Sequence, residues 1–151
     1  MKIKSIFLSA PYTFLMDKKT KLLDESYKKW LEQILDYLSS KAPNIYNSHQ
    51  REEWGAKIFD PQKAIETDFN EIAHSDCVVA HIGDPPSSGV LMELGFAASL
   101  NKTIIIFAAH GQPIPYLAQG LGQWTNTQYV YYYSEDDLFE QLDLLFNRLP
   151  D

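Results

Sequence analysis

Only one cysteine occurs in the 151 residues, so no intrachain disulfide can brace the fold and packing has to hold it together. That residue, Cys77, lies in the apolar run Cys77-Val78-Val79-Ala80 and reads as a buried small hydrophobe, not a reactive thiol. Long apolar stretches are missing too: none approaches the ~20 residues needed to cross a bilayer, and no membrane partner is expected. Positive charge is scarce. Thirteen Lys and Arg against 20 Asp and Glu give a net charge of -7, with no basic cluster to set against it. A polymeric nucleic acid requires such a cluster and is not expected as a partner, whereas helix N-termini and loop amides can still hold one small phosphorylated ligand. The four histidines, His49, His74, His81 and His110, lack the paired spacing with cysteine or carboxylate that zinc would need. No metal or other cofactor is expected. The start of the chain passes from Lys2 and Lys4 into a strand-like run without the longer apolar region and small-residue cleavage site of a secretory signal, so a cytoplasmic location is expected.

Against these absences stands an ordinary globular composition, 45% hydrophobic and 22% charged. A chain of this length can bury roughly 70% of its unfolded surface in one core, and a single domain over residues 1–151 is expected. Strand-like and helix-like periodicities alternate along it. Residues 3–8 form a short apolar strand, and residues 24–41 carry Tyr27, Trp30, Leu31, Ile34, Leu35 and Leu38 at helical spacing before Pro43. Residues 44–47 form a second short strand, after which Asp60 as N-cap and Pro61 at the first helical position open a helix through Ala64, Ile65, Phe69 and Ile72. A strand over 77–82, a turn-rich segment over 83–89 and a helix over 90–100 follow. A strand over 103–108, a long loop over 111–126, a strand over 128–133 and an amphipathic helix over 135–149 complete the chain.

Parallel strands need crossover helices, so this alternation predicts a five-stranded parallel sheet covered on both faces: a flavodoxin-like, Rossmann-like three-layer α/β sandwich. With strand order 2-1-3-4-5, ligands bind outside the carboxyl ends of strands one and three, where the sheet reverses its direction of growth. That nominates residues 9–15 and 83–89, far apart in sequence, as the walls of one crevice.

Glu93 lies about one turn into the helix that begins at the second of these loops, at helical spacing from Val90 and Ala97. Two readings of it stay open: a reactive carboxylate at the crevice, or an acid favoured by the helix macrodipole. Asp68 falls between Ile65 and Ile72, at the border of the face its helix should bury, where an unpaired acid is uncommon; it reads either as a working carboxylate or, as periodicity alone slightly favours, as a partly exposed border residue with a local hydrogen bond. Two carboxylates in one cleft can divide labour, one attacking an anomeric carbon and the other managing the proton of the leaving group. Ser87-Ser88-Gly89 offers hydroxyls and free helix amides to an anion, and equally reads as an ordinary N-cap with a turn glycine. His49, Arg51 and Trp54 follow the second strand. They either frame a base or sugar, or form a structural cluster in which Arg51 pairs with Glu52 or Glu53.

Taken together these residues resemble the nucleoside 2-deoxyribosyltransferase superfamily, through Ile6-Phe7-Leu8-Ser9-Ala10-Pro11-Tyr12 and Gly89-Val90-Leu91-Met92-Glu93-Leu94-Gly95-Phe96-Ala97. Within it the chain is most similar to the CMP and hydroxymethyl-CMP N-ribosidases, because Tyr46-Asn47-Ser48-His49-Gln50-Arg51-Glu52-Glu53-Trp54-Gly55-Ala56 looks like their characteristic segment. The resemblance implies that Glu93 is the nucleophile, that Asp68 orients or protonates the base, and that the enzyme is at least a homodimer. The substrate-binding residues expected are Ser9, Tyr12, Arg51, Ser87 and Gly89, and Asn126, in the loop before the last strand, is a candidate for the residue lent to a partner's pocket. Tyr12 matches an aromatic position in the hydrolases and is assigned to stacking on the base. Ser87, six residues before Glu93, stands where the transferases usually carry an aspartate and the monophosphate hydrolases a serine. Where those hydrolases tend to have an arginine near the phosphate, this chain reads Tyr12-Thr13, and Lys18 and Lys19 are read as solvated charges. The expected activity is hydrolysis of the N-glycosidic bond of a nucleoside 5'-monophosphate, CMP-like, through a covalent glycosyl-Glu93 intermediate. The alternatives are base exchange between deoxynucleosides and a non-catalytic nucleotide-sensing module. The loop over 109–123 is long enough to serve as a lid or interface segment.

Overall fold

The computed structural model describes residues 2–12, 15–20 and 22–149. Five strands, β1 (Ser5–Ser9), β2 (Asn44–Tyr46), β3 (Cys77–His81), β4 (Thr103–Ala109) and β5 (Thr127–Tyr132), pair in the order β2-β1-β3-β4-β5. Every pairing is parallel. The reversal between β1 and β3 therefore falls where the alternating pattern predicts it.

Successive strand residues point to opposite faces, and each face builds its own core. Ile6, Leu8, Cys77, Val79, Ile105 and Phe107 meet Leu31, Ile34, Leu35 and Leu38 of α1 (Glu25–Ser39), together with Leu138 and Leu142 of α6 (Glu135–Phe146). On the other face Phe7, Val78, Ala80, Ile104 and Ile106 meet Ile72 of α3 (Pro61–His74), and Val90, Leu94 and Ala97 of α4 (Ser88–Ser99). The strands are apolar on both sides because both sides are covered. Cys77 is fully buried within the first core, and burial pushes its thiol up to about 12, which makes it inert.

Local chemistry sets the helix starts. Asp24, Asp60, Ser87 and Ser134 each accept a backbone N–H of the first turn of their helix. The cap at Ser87 starts α4 at Ser88, two residues before the apolar periodicity would start it. After β2 the chain forms a short helix, α2 (Ser48–Arg51), capped by Asn47, and then a 3-10 turn at Glu53–Gly55 that holds Trp54 at φ 58°. The long segment before β5 is not an open loop. It contains α5 (Tyr116–Gln119) and a second 3-10 turn (Leu121–Gln123), with Ile114 and Ala118 buried in the second core. Among the described residues no helix is long and apolar enough to cross a membrane.

Candidate active site

A cleft of about 500 Å³, large enough for a small ligand, opens at the carboxyl ends of β1 and β3. Tyr12 comes to it from the segment after β1, Glu52 from beyond α2, Asp68 from α3, and Ser87, Ser88, Gly89 and Glu93 from the start of α4. Met16, Ile58, Phe59, Pro61 and Ala64 supply an apolar wall. The two loops nominated by topology do face each other.

Glu93 is largely buried, and its Oε2 makes no hydrogen bond. Removal from water raises its carboxyl well above the usual range. The negative charge of Asp68 raises it further, and the neighbouring Ser9 hydroxyl and Arg51 only partly offset this. Ser9 itself, at the end of β1, does not line the cleft: it lies behind Glu93, 1% exposed, with its Oγ in no hydrogen bond of ordinary geometry. A desolvated acid with an unused oxygen is costly to the fold and suited to a reaction in which it acquires a covalent partner.

Asp68 is raised by burial and lowered again by Arg51, whose Nη2 lies 2.5 Å from its Oδ1. Arg51 Nη1 lies 2.5 Å from Glu71 Oε2, one turn further along α3. The sequence reading of Arg51 changes accordingly. It is paired across the fold with Asp68 and Glu71, while Glu52 is more distant at 3.8 Å and no ion pair with Glu53 occurs. Neither Arg51 nor Glu71 lines the cleft; the guanidinium stands behind Asp68. A loop-to-helix pair of this kind leaves no periodicity in the sequence.

His49 and Trp54, from the same segment, are structural. His49 is fully buried, with Nε2 2.7 Å from Pro11 O and Nδ1 3.3 Å from Asn47 Nδ2, an arrangement that fits a neutral ring donating from Nε2. Burial pushes it down to about 4. Trp54 packs against the first core with Lys28 over its ring, away from the cleft. Tyr12 does line the cleft, but one face of its ring is stacked on His49 at 4.4 Å, which leaves only the other for a ligand. Its phenol is driven up to about 12, first by burial and then by the charge of Glu52.

Glu52, which sequence reading took only as a partner for Arg51, is 4% exposed and accepts from Phe59 N at 2.7 Å. Ser87 caps α4, accepting weakly from Val90 N at 3.5 Å, and Gly89 is exposed beside it. Lys18 and Lys19 are exposed and neither borders the cleft; Thr13 lies outside the described residues. Asn126 is at the opposite, amino edge of the sheet, where its carbonyl accepts from Ile104 N and its side chain borders a separate cavity beside α6. Within one chain it cannot meet Glu93. Among the described residues no cluster of histidine, cysteine, aspartate and glutamate is arranged to hold a metal ion.

Two adjacent helices, α3 and α4, thus each bring a carboxylate, Asp68 and Glu93, to the switch-point cleft of a doubly wound sheet. The family model for nucleoside 2-deoxyribosyltransferase matches residues 6–142, and the chain belongs to that family. Similar solved structures include the Clostridium botulinum CMP N-glycosidase BcmB, at 26% identity and a TM-score of 0.71, covering 94% of this chain and 99% of that one. BlsM (24% identity, TM-score 0.75, 99% and 98% covered) and a 2-desoxiribosyltransferase from Leishmania mexicana (13%, 0.60, 97% and 99%) share the fold. No curated protein matches the chain.

Proposed function

We propose that the protein hydrolyses the N-glycosidic bond of a nucleoside 5'-monophosphate, with a CMP-like pyrimidine nucleotide favoured. The observation that carries this reading is the pair of largely buried carboxylates, Glu93 and Asp68, at one cleft, with Glu93 Oε2 free of hydrogen bonds. Glu93, once ionised, attacks C1' as the bond from C1' to the base nitrogen breaks and its electron pair leaves with the base. Asp68, whose Oδ1 is held by Arg51, supplies the proton that the base takes up. Water then attacks C1' as the bond from C1' to Glu93 breaks, the water's proton passes to Asp68, and the sugar 5-phosphate leaves. The Ser87 hydroxyl and the first amides of α4 hold the phosphate, a position where the helix dipole and unpaired N–H groups favour an anion. The similarity to BcmB supports the choice of a monophosphate.

The reading is tested by incubating the protein with CMP, dCMP, purine monophosphates and the matching nucleosides, and following free base by chromatography. Release from monophosphates alone, abolished in Glu93→Ala, is the expected result. Release only when a second base is added would make the protein a transferase, in keeping with the family description, and no release from any of them would favour a nucleotide sensor.

The working form is proposed to be a homodimer or larger. Because Asn126 lies at the amino edge, it can serve a pocket only in a second copy. Sedimentation showing a monomer at working concentration would end that part of the reading.

A further inference from the structure

We infer that Glu71 is a positioning residue for the proposed reaction: it anchors Arg51 so that the guanidinium holds Asp68 at the cleft, and neither Arg51 nor Glu71 touches the substrate. This inference rests on the hydrolase reading for its kinetic consequence only.

The geometry is that of a bridge. Asp68 and Glu71 are three residues apart on α3 and so share one face of the helix, each about 19% exposed. Arg51 arrives from α2 and spends one terminal nitrogen on each, at 2.5 Å. Its Nε is buried with no hydrogen-bond partner, so the two carboxylates alone fix where the guanidinium stands among hydrogen-bonding groups. Of the two, Asp68 borders the cleft and Glu71 does not. The same guanidinium lies 5.1 Å over the ring of Phe59, whose backbone N–H is held by Glu52, so the anchor also steadies the apolar wall of the cleft. Without Glu71, Arg51 keeps one hydrogen bond, to Asp68, and can rotate about it, and a displacement of about 1 Å in a group that manages a proton can cost up to roughly 100-fold in rate.

A structural brace and a positioning residue differ in what they do to the titration of Asp68. The groups facing Asp68 are Arg51, Glu52, Glu71, Glu93 and Tyr12. Deleting the negative charge of Glu71 acts through space to lower the pKa of Asp68, whereas loss of a pinned Arg51 raises it, because Arg51 is what opposes the desolvation of that carboxyl. The two effects have opposite signs.

The experiment follows the carboxyl carbon of Asp68 by NMR titration in full-length protein carrying Glu93→Gln, which removes the coupled acid. Glu71→Leu, with Glu71→Ala as a second truncation should the first not fold, is expected to move the titration to higher pH. Glu71→Gln, which keeps an acceptor for Arg51, is expected not to raise it. In the Glu93-containing protein the truncation should lower kcat for base release by about 10- to 100-fold with little change in KM, and Gln should restore most of it. A folded truncation in which Asp68 titrates no higher than in Glu71→Gln, which loses the same charge but keeps the anchor, would overturn the inference. If the titration rises but the unsubstituted protein releases no base, the positioning of Asp68 is supported and the hydrolase reading is the one that fails.

Discussion

Two pairs of buried polar side chains lie close together beneath the carboxyl edge of the sheet, and they are built in opposite ways. In the Asn47 and His49 pair every polar atom has a use: Asn47 accepts from Gln50 N and donates to Leu8 O, and His49 contacts Pro11 O and Asn47 Nδ2. In the Ser9 and Glu93 pair, Ser9 Oγ and Glu93 Oε2 have no hydrogen bond, although both are shut away from water. A complete set of bonds marks a group that serves the fold. In Glu93, which borders the cleft, the unused oxygen is, on the proposed reading, kept for the reacting sugar.

The comparison can be broken most sharply at Glu93. Glu93→Gln should reduce base release by on the order of 10⁴-fold or more, as for loss of a nucleophile, while the thermal midpoint stays level or rises, since a neutral amide is cheaper to bury. A variant that lost stability along with activity would place Glu93 with the structural pair. His49→Ala should do the reverse. By emptying a fully buried site and orphaning Pro11 O, it should cost about 3 kcal/mol in denaturant unfolding, with a smaller loss of kcat per folded molecule.

Titration sharpens the same contrast. The pKa of Glu93 is raised in the folded state, so its contribution to stability is complete below the ordinary glutamate value and is lost as pH rises through the folded value; kcat/KM climbs over that same window because attack needs the carboxylate. His49 is depressed from 6.5 to about 4, so its contribution is complete above 6.5 and is lost as pH falls through about 4; His81, buried beside Trp30 and Phe107, behaves alike. The advantage in Tm of Glu93→Gln over the unsubstituted protein should therefore widen as pH rises, and a constant gap would contradict a raised Glu93. The smallest effect is expected at Ser87→Asp, which keeps a capping oxygen but sets a negative charge against the phosphate. It should cut monophosphate cleavage about 10-fold or more and leave nucleosides comparatively unaffected.

Strand order, layers and the two loops of the cleft were legible because they follow from periodicity and parallel topology, which are properties of long segments. Glu93, Asp68, Tyr12, Ser87 and Gly89 converge because those loops do. What could not be read depends on pairing across the fold. Arg51 reaches 17 residues to Asp68 and 20 to Glu71, past the nearer acids Glu52 and Glu53, because its side chain is directed at α3. Glu52 sits buried in a run of charged residues that looks solvated. Asn126 illustrates the other limit: a loop before a parallel strand is at the amino edge, opposite the ligand, and only a second subunit could bring it back. The segment over 109–123 is half structural, since Ile114 and Ala118 are buried and Tyr129 Oη donates to Ala118 O at 2.6 Å, while Tyr116 and Leu117 stay 87% and 83% exposed.

Gly89 carries one more consequence. A methyl group built there would meet nothing closer than Ser87 Oγ at 3.9 Å, and its backbone is ordinary helix, so alanine would fit and should even firm the first turn of α4 by about 0.5–1 kcal/mol. The chain thus forgoes a small, freely available gain in rigidity at the mouth of its cleft. On the proposed reading that hydrogen serves the substrate, whose phosphate comes within contact distance of the helix backbone.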